Sequence, residues 1–138
     1  MWFGAPRAAS RPASATRSVF DWDDYLTLAR RLASEPDEAS RRSAISRAYY
    51  AAYHAAASYV RAKRLVPASR SLSHRLVWAI FATDPDPDRA DVGARGRDLQ
   101  QVRNLADYGA SFPGNLERRT RGAIVRSQTL LDLIDALP

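Results

Sequence analysis

The chain has 138 residues, no cysteine and only two histidines, and its formal net charge at pH 7 is +6. This length suits one domain, and the absence of cysteine excludes disulfides and thiolate metal sites. His54 and His74 are too few for a His-rich metal centre, so we expect neither a metal nor another cofactor. No stretch is apolar over the about 18 residues that a membrane span needs, and the start lacks the apolar region of a secretory signal. We therefore expect a cytoplasmic protein that does not enter the membrane.

Residues 1–19 consist mainly of Ala, Ser, Arg and Pro and show no hydrophobic period. Such a composition does not repay the entropy of ordering, so we predict a flexible basic tail over residues 1–19 and a folded domain over residues 20–138. An upstream mis-start or a transit-like leader would give a similar composition. Arg7, Arg11 and Arg17 give the tail half of the net charge, which leaves only a moderate electrostatic indication of nucleic-acid binding for the domain.

Two helices are predicted first. One begins after Asp21, which can cap it, and ends near Ser34, since Pro36 disfavours helical geometry in the residue before it. Its predicted buried stripe is Trp22, Tyr25, Leu28, Ala29 and Leu32. The longest helix is predicted over residues 37–65, where Gly and Pro are absent, and it stops before Pro67.

A third helix is predicted over residues 71–82, with an inner face of Leu72, Leu76, Ala79 and Ile80. Residues 83–88, which contain two prolines between acidic residues, are expected to form a surface loop without a metal. A fourth helix is predicted over residues 95–108 and ends at Gly109 in a left-handed cap. Its inward residues are expected to be Leu99, Val102, Leu105 and Ala106.

The last helix is predicted over residues 115–137, after a turn at residues 112–114. Its buried residues are expected to be Leu116, Ile124, Leu130, Leu131, Ile134 and Leu137, with Arg118, Arg119, Arg121 and Arg126 on the polar side. Five helices with short connections predict an all-α, up-and-down helical bundle.

The second helix has two separate faces at 100° per residue. Its apolar face is Ile45, Tyr49, Ala52, Ala56, Tyr59 and Val60. The opposite face, which we call the polar stripe, is Arg47, Tyr50, His54, Ser58 and Arg61. Alanines on the flanks predict a central helix, so the polar stripe should be partly covered and should need partners. It is a candidate site, although hydrogen bonds that serve stability alone would also account for it.

In the fourth helix, Arg103 and Asp107 are four residues apart, with Asn104 and Tyr108 beside them, and we expect all four off the apolar face. Taken alone, this spacing indicates an exposed ion pair worth well under about 1 kcal/mol.

The second and fourth predicted helices together resemble the HEPN (higher eukaryotes and prokaryotes nucleotide-binding) family, in its small bacterial and archaeal branch. The resemblance is carried by SRAYYAAYHA at residues 46–55 and RNLADY at residues 103–108. Ser73 and His74, followed by an apolar stretch to Phe81, are similar to the family's third helix. The resemblance covers residues 21–137 and leaves out the tail.

The resemblance implies a bundle of four long helices and one short helix, paired as a homodimer with polar residues facing a cleft between protomers. Many members are metal-independent ribonucleases that use an Arg and a His with four to six residues between them. Here no His follows Arg103; Tyr108 stands five positions on, and a phenol with a pKa near 10 is a poor base at neutral pH. Arg47 and His54 have six residues between them and so meet the spacing, but they lie on a different helix.

Three functions follow as hypotheses. The first is an RNA- or nucleotide-binding module that acts as a homodimer, with a nucleotidyltransferase-type partner in a toxin–antitoxin or defence system. Its binding residues would be Arg47, Tyr50, His54, Arg103, Asn104, Asp107 and Tyr108. The second is a metal-independent endoribonuclease with Arg47, His54 and Arg103 as catalytic residues. The third is a non-catalytic interaction or dimerisation module in which the polar stripe only fixes the packing.

Overall fold

A computed structural model describes residues 19–138 of the chain, and the predicted tail falls outside this range except for Val19. Within the range the chain is all-helical, with five α-helices and no strand. Three helices are long and two are short, whereas the resemblance implies four long helices and one short helix. The helices are α1 (Asp23–Ala33), α2 (Glu38–Ala62), α3 (His74–Ala82), α4 (Pro87–Tyr108) and α5 (Leu116–Ala136).

Helix α2 is the central element, as its alanine flanks predicted. Among the described helices it alone contacts all four others. All six residues of its predicted apolar face are buried. A second buried cluster joins three alanines of α2 to Leu26 and Ala29 of α1. The small alanine side chains therefore let α1 approach α2 closely, as the sequence indicated.

Helix α1 begins at Asp23, so Trp22 and not the predicted Asp21 is at the N-cap position, and the Trp22 side chain makes no capping hydrogen bond. The Asp21 carboxylate still accepts a hydrogen bond from the Asp23 amide, at 3.0 Å. Its buried face is centred on Leu26, which the prediction left out, and on Ala29. The other four residues of the predicted stripe are only half-buried: Trp22, Tyr25, Leu28 and Leu32. The face of α1 that packs on the alanines of α2 is therefore rotated about the helix axis relative to the predicted face. As a result Trp22 and Tyr25 lie at the edge of the buried face.

Helix α3 starts later than predicted and buries a different face. The Ser73 hydroxyl caps it by accepting a hydrogen bond from the Leu76 amide at 3.1 Å. Its buried residues are Val77, Trp78 and Phe81. The residues predicted to face inward are half-buried: Leu72, Leu76, Ala79 and Ile80. Both faces repeat at helical spacing, and the one with the larger aromatic area is buried because it removes more apolar surface from water.

Helix α4 begins at Pro87, so it takes in the end of the predicted surface loop and the residues up to Arg95. The Asp86 carboxylate caps it by accepting a hydrogen bond from the Asp88 amide at 2.9 Å. Proline is well tolerated in the first helical turn because the amide there needs no helical partner. The predicted loop is therefore confirmed over residues 83–86 and wrong at residues 87 and 88, because the second proline of the segment starts the helix.

The extra turns of α4 pack against α3 through two glycines. A Cβ atom on Gly96 would lie 2.1 Å from a ring atom of Trp78, and a Cβ atom on Gly93 would lie 2.2 Å from the Ala82 backbone nitrogen. The two helices are therefore in direct contact at these positions.

The end of α4 does not have the predicted left-handed cap. Gly109 has φ −72° and ψ 129°, which is extended backbone. Instead, the Arg42 guanidinium of α2 donates hydrogen bonds to the carbonyl oxygens of Ala106 at 3.2 Å and Gly109 at 2.6 Å. A side chain of the central helix thus satisfies the last carbonyls of α4 and fixes the position of its final turn.

Helix α5 is capped by Asn115, whose side chain accepts a hydrogen bond from the Arg118 amide at 2.9 Å. Its buried face includes small and polar residues that the prediction left out, namely Thr120, Ala123 and Ser127, beside the predicted Leu130 and Ile134. The Ser127 hydroxyl donates to the Ala48 carbonyl at 2.6 Å, which satisfies this buried group. The remaining predicted residues are half-buried: Leu116, Ile124, Leu131 and Leu137.

Candidate functional site

The side chain of Arg103 lies inside the bundle, with 8% of the residue exposed. Its Nε atom is 2.9 Å from a carboxylate oxygen of Asp107, Nη1 donates to the Asn104 side-chain oxygen at 2.9 Å, and Nη2 donates to the Tyr50 hydroxyl. The guanidinium carbon lies 5.3 Å from the centre of the Tyr49 ring and 5.0 Å from that of Tyr50. A buried charge needs such partners, because removal from water is costly.

This placement corrects the prediction that Arg103 lies off the apolar face in an exposed ion pair. The side chains of Arg103 and Asp107 are 10% and 25% exposed. Asn104, Asp107 and Tyr108 do lie toward solvent as predicted, and Tyr108 is 76% exposed. The helical periodicity predicts Arg103 on the polar side of α4. Its long side chain instead reaches between the helices to polar partners, which periodicity within one helix does not show.

The first half of the polar stripe of α2 faces this buried arginine. The guanidinium of Arg47 lies 4.9 Å from the centre of the Tyr50 ring, so two guanidiniums, those of Arg47 and Arg103, flank one tyrosine. The ring centres of Tyr50 and His54 are 6.1 Å apart. The structure therefore brings Arg47, Tyr50, His54 and Arg103 together, as the sequence predicted.

Two aromatic residues from the start of the domain cover part of the stripe. The Trp22 indole stacks on the His54 imidazole, with centres 3.5 Å apart and planes 12° from parallel. The Tyr25 ring lies 4.7 Å from the Arg47 guanidinium. The sequence assigned both residues to the core, but their half-buried position makes them part of the surroundings of the site.

The second half of the polar stripe does not take part. Ser58 and Arg61 are exposed. The Arg61 guanidinium donates to the backbone carbonyls of Pro67 and Ala68, both at 3.3 Å. It therefore secures the segment after α2.

His74 is the residue that sequence reasoning missed. Ser73 caps α3, and the His74 imidazole is half-buried. Its Nδ1 atom is 2.8 Å from the Tyr49 hydroxyl, and its ring stacks on Tyr53 with centres 3.8 Å apart. The only signal in the sequence was the similarity of Ser73 and His74 to the third helix of the HEPN family.

We call this assembly the Arg103 cluster. Three helices supply it, α2, α3 and α4, and both histidines of the chain belong to it. Its members are Arg47, Tyr50, His54, His74, Arg103, Asn104, Asp107 and Tyr108.

Both histidines are biased toward the neutral form. Burial lowers the pKa of His54, and the positive charge of Arg47 lowers it further. Burial also lowers the pKa of His74, with smaller contributions from Arg103 and His54. At neutral pH the cluster therefore combines two guanidiniums with two uncharged imidazoles, which can accept or donate a proton or a hydrogen bond.

These pKa shifts predict a loss of stability in weak acid. Because each folded-state pKa lies below the unfolded value of about 6.5, the unfolded chain binds more protons as the pH falls through 6.5. We expect the urea midpoint to be lower at pH 5 than at pH 7.5. In the double variant His54→Gln, His74→Gln the difference between the two pH values should shrink. Equal wild-type midpoints at both pH values would contradict the assignment.

A groove of about 450 Å³ opens elsewhere on the described surface, between the start of α1, the end of α2 and the end of α5. Asp23, Asp132 and Asp135 line it, together with Lys63, and no member of the Arg103 cluster does. Three carboxylates against one ammonium disfavour an anionic ligand there. The Arg103 cluster, by contrast, has two guanidiniums, those of Arg47 and Arg103, and one carboxylate, that of Asp107.

Further observations bear on the class of site. Among residues 19–138, no three His, Cys, Asp or Glu side chains are grouped so that they could hold a metal ion. None of the helices in that range has both the length and the hydropathy needed to cross a membrane. When the chain is compared with protein-family profiles, with curated proteins and with solved structures, it matches none of them.

Proposed function

We propose that the chain is an RNA- or nucleotide-binding module of the HEPN kind, which holds a phosphate of its ligand in the Arg103 cluster. The observation that carries this proposal is the burial of Arg103 at 8% exposure, at the point where the two segments of the HEPN resemblance meet. A guanidinium forms paired hydrogen bonds to phosphate oxygens, and it does so more strongly where water is excluded.

The border of the cluster suits the other parts of a nucleotide. Tyr108 is 76% exposed and its ring centre lies 5.8 Å from the Arg103 guanidinium carbon. An exposed aromatic ring beside a phosphate-binding group offers a stacking surface for a base. Arg47, whose guanidinium lies 4.9 Å from the centre of the Tyr50 ring, adds a second positive charge, so the electrostatic attraction for a phosphate does not depend on Arg103 alone.

Homodimer formation, with the cluster facing a cleft between protomers, and a nucleotidyltransferase-type partner in a toxin–antitoxin or defence system are part of the same proposal. Their support is the resemblance at residues 46–55 and 103–108. A large exposed aromatic such as Tyr108 at the edge of the cluster is compatible with a partner surface as well as with a base.

Asp107 provides a test of the phosphate role, because its carboxylate competes with a phosphate for Arg103. Asp107→Asn removes the negative charge and keeps the shape of the side chain. We expect the affinity for single-stranded RNA at low salt to rise by about fivefold, since about 1 kcal/mol of charge repulsion is lost. Fluorescence anisotropy with a labelled RNA would measure it.

Asp91→Asn is the matched control, because Asp91 forms the same i,i+4 ion pair with Arg95 on the same helix, at the surface. Its effect on affinity should be less than twofold. An Asp107→Asn variant that binds no better than the control would count against a phosphate at Arg103. If Arg47→Ala and Arg103→Ala lower only the melting temperature or the dimer affinity, the third hypothesis, an interaction module, would be supported instead.

One observation favours the second candidate, the metal-independent endoribonuclease. His54, whose pKa is lowered by burial and by Arg47, is neutral and adjoins Tyr50, which binds Arg103. A neutral imidazole can take the proton of a ribose 2′-hydroxyl. The 2′ oxygen would then bond to phosphorus, and the bond to the 5′ oxygen would break. The leaving oxygen would take a proton from water, and the hydroxide so formed would take the proton from the His54 imidazolium.

Cleavage of RNA in the presence of a chelator, with 2′,3′-cyclic phosphate ends, is the expected result for this candidate. We expect His54→Ala to abolish the cleavage. Activity that persists in purified His54→Ala would mean that another enzyme in the preparation is responsible. A wild type that binds RNA without cutting it would support the binding module and contradict the ribonuclease.

A further inference from the structure

A chain of buried hydrogen bonds ends at His74. The Trp78 indole nitrogen donates to the Tyr49 hydroxyl oxygen at 2.9 Å, and the same hydroxyl lies 2.8 Å from Nδ1 of His74. Tyr49 and Trp78 are both completely buried. Water therefore does not reach the Tyr49 hydroxyl, and its proton has to be satisfied within the protein.

The donors and acceptors of this chain place each proton. The indole can only donate, so the Tyr49 oxygen accepts from it. The Tyr49 proton then needs an acceptor, and the only one within hydrogen-bond distance among the described residues is Nδ1 of His74. If Nδ1 instead carried a proton, the buried phenol would have no acceptor, at a cost of about 1–3 kcal/mol. The neutral His74 ring therefore carries its proton on Nε2.

Packing fixes the orientation of this ring. The His74 and Tyr53 rings are parallel within 2°, at a centre distance of 3.8 Å. The Tyr50 ring meets His74 edge to face, with centres 5.5 Å apart. His74 is thus held between two tyrosines of α2, and Tyr50 also binds Arg103.

We propose that His74 contacts the ligand of the Arg103 cluster as a neutral hydrogen-bond donor through Nε2, and that the ligand group is a phosphate oxygen of an RNA. In this arrangement Tyr49 is a positioning residue, because it sets the tautomer of His74 without touching the ligand. The inference rests on the proposed function and adds to it a second, uncharged donor beside Arg103.

The arrangement separates the roles of the two histidines. Nδ1 of His74 is occupied by Tyr49, so His74 lacks a free lone pair with which to take a proton from a ligand. The imidazole of His54 stacks on Trp22 and accepts no such hydrogen bond from a described residue. A general base in this cluster would therefore be His54, with His74 as a fixed donor.

The first test reads the tautomer directly and needs no ligand. In the full chain labelled with ¹⁵N-histidine, at pH 7.5, we expect the His74 Nε2 resonance to be of the protonated type and Nδ1 of the unprotonated type. In Tyr49→Phe the two tautomers should mix. Tyr53→Phe is the matched control, since it keeps the stacked ring and leaves the Tyr49 hydroxyl in place. A wild-type Nδ1–H tautomer would overturn the inference.

The second test adds a single-stranded oligouridylate as the probe. The Nε2 resonance of His74 should move on titration, and the affinity of Tyr49→Phe should fall by about threefold relative to Tyr53→Phe. If the wild type binds but His74 Nε2 does not respond, the inference fails and the proposed function stands. If the wild type does not bind at all, the proposed function fails, and the ligand role of His74 fails with it even where the tautomer is as expected.

Discussion

Arg103→Gln is expected to weaken RNA binding by roughly ten- to a hundredfold, because a charge-assisted hydrogen bond to phosphate is worth about 1.5–3 kcal/mol. The substitution removes the charge and the planar fork of donors that is held at Asn104 and Tyr50. The measurement is fluorescence anisotropy with a labelled single-stranded RNA, at a temperature where circular dichroism shows each variant folded.

Two further variants make this result specific. Arg95→Gln removes an exposed arginine from the same helix, with the same spacing to its aspartate, and should change the affinity by less than twofold. Arg103→Lys keeps the charge but not the fork, so it should restore only part of the binding. Equal losses in Arg95→Gln and Arg103→Gln would mean that the chain attracts RNA by its overall charge and not at the cluster.

Gly93→Ala is expected to destabilise the fold by about 2–3 kcal/mol, since crowding a packed interior costs about this much. The new Cβ atom would lie 2.2 Å from the Ala82 backbone nitrogen and 2.5 Å from its Cα atom. Backbone atoms cannot rotate away as a side chain can, so α3 and α4 would have to separate. Urea unfolding followed by circular dichroism would measure the loss.

Gly122→Ala is the matched control, because a Cβ atom at Gly122, within α5, would meet nothing within 4 Å. Alanine costs less backbone entropy than glycine in a helix, so this variant should gain about 0.5–1 kcal/mol. A Gly93→Ala variant as stable as the wild type would show that α3 and α4 are not in contact at this point.

The central helix was predictable because its sequence contains both an apolar and a polar face at helical spacing. The spacing of Ile45, Tyr49 and Ala52 defines an apolar side, and Arg47, Tyr50 and His54 define a polar one. The alanines between them leave room for neighbours on several sides. All of this is local information, and within residues 19–138 the structure has α2 as the element that contacts each of the other helices.

Helices α3 and α4 show where local patterns are insufficient. In α3 two faces have helical spacing, and the space that Gly96 on α4 leaves for the Trp78 ring is not visible in the sequence of α3. In α4 the sequence predicts a loop to residue 88 and a helix only from residue 95, but the cap at Asp86 and the close approach to α3 stabilise a helix from Pro87 onward. Both outcomes depend in part on packing between α3 and α4, which the spacing within either helix does not show.

The candidate site was predictable only where its residues lie on one helix. Arg47, Tyr50 and His54 share one helix face, so periodicity alone grouped them. The burial of Arg103 depends on a hydroxyl from another helix, that of Tyr50, and the position of His74 depends on Tyr49 and Tyr53. No spacing within α3 or α4 carries this information.

Crosslinking of a 4-thiouridine-labelled RNA to the full chain, with the attached residues mapped by mass spectrometry, tests the central claim most directly. If the ligand lies in the Arg103 cluster, crosslinks should fall on Tyr108, Tyr50 and His54, and Arg103→Gln should abolish them. Crosslinks on the arginine-rich side of α5, around Arg118 and Arg121, that persist in Arg103→Gln would contradict the claim.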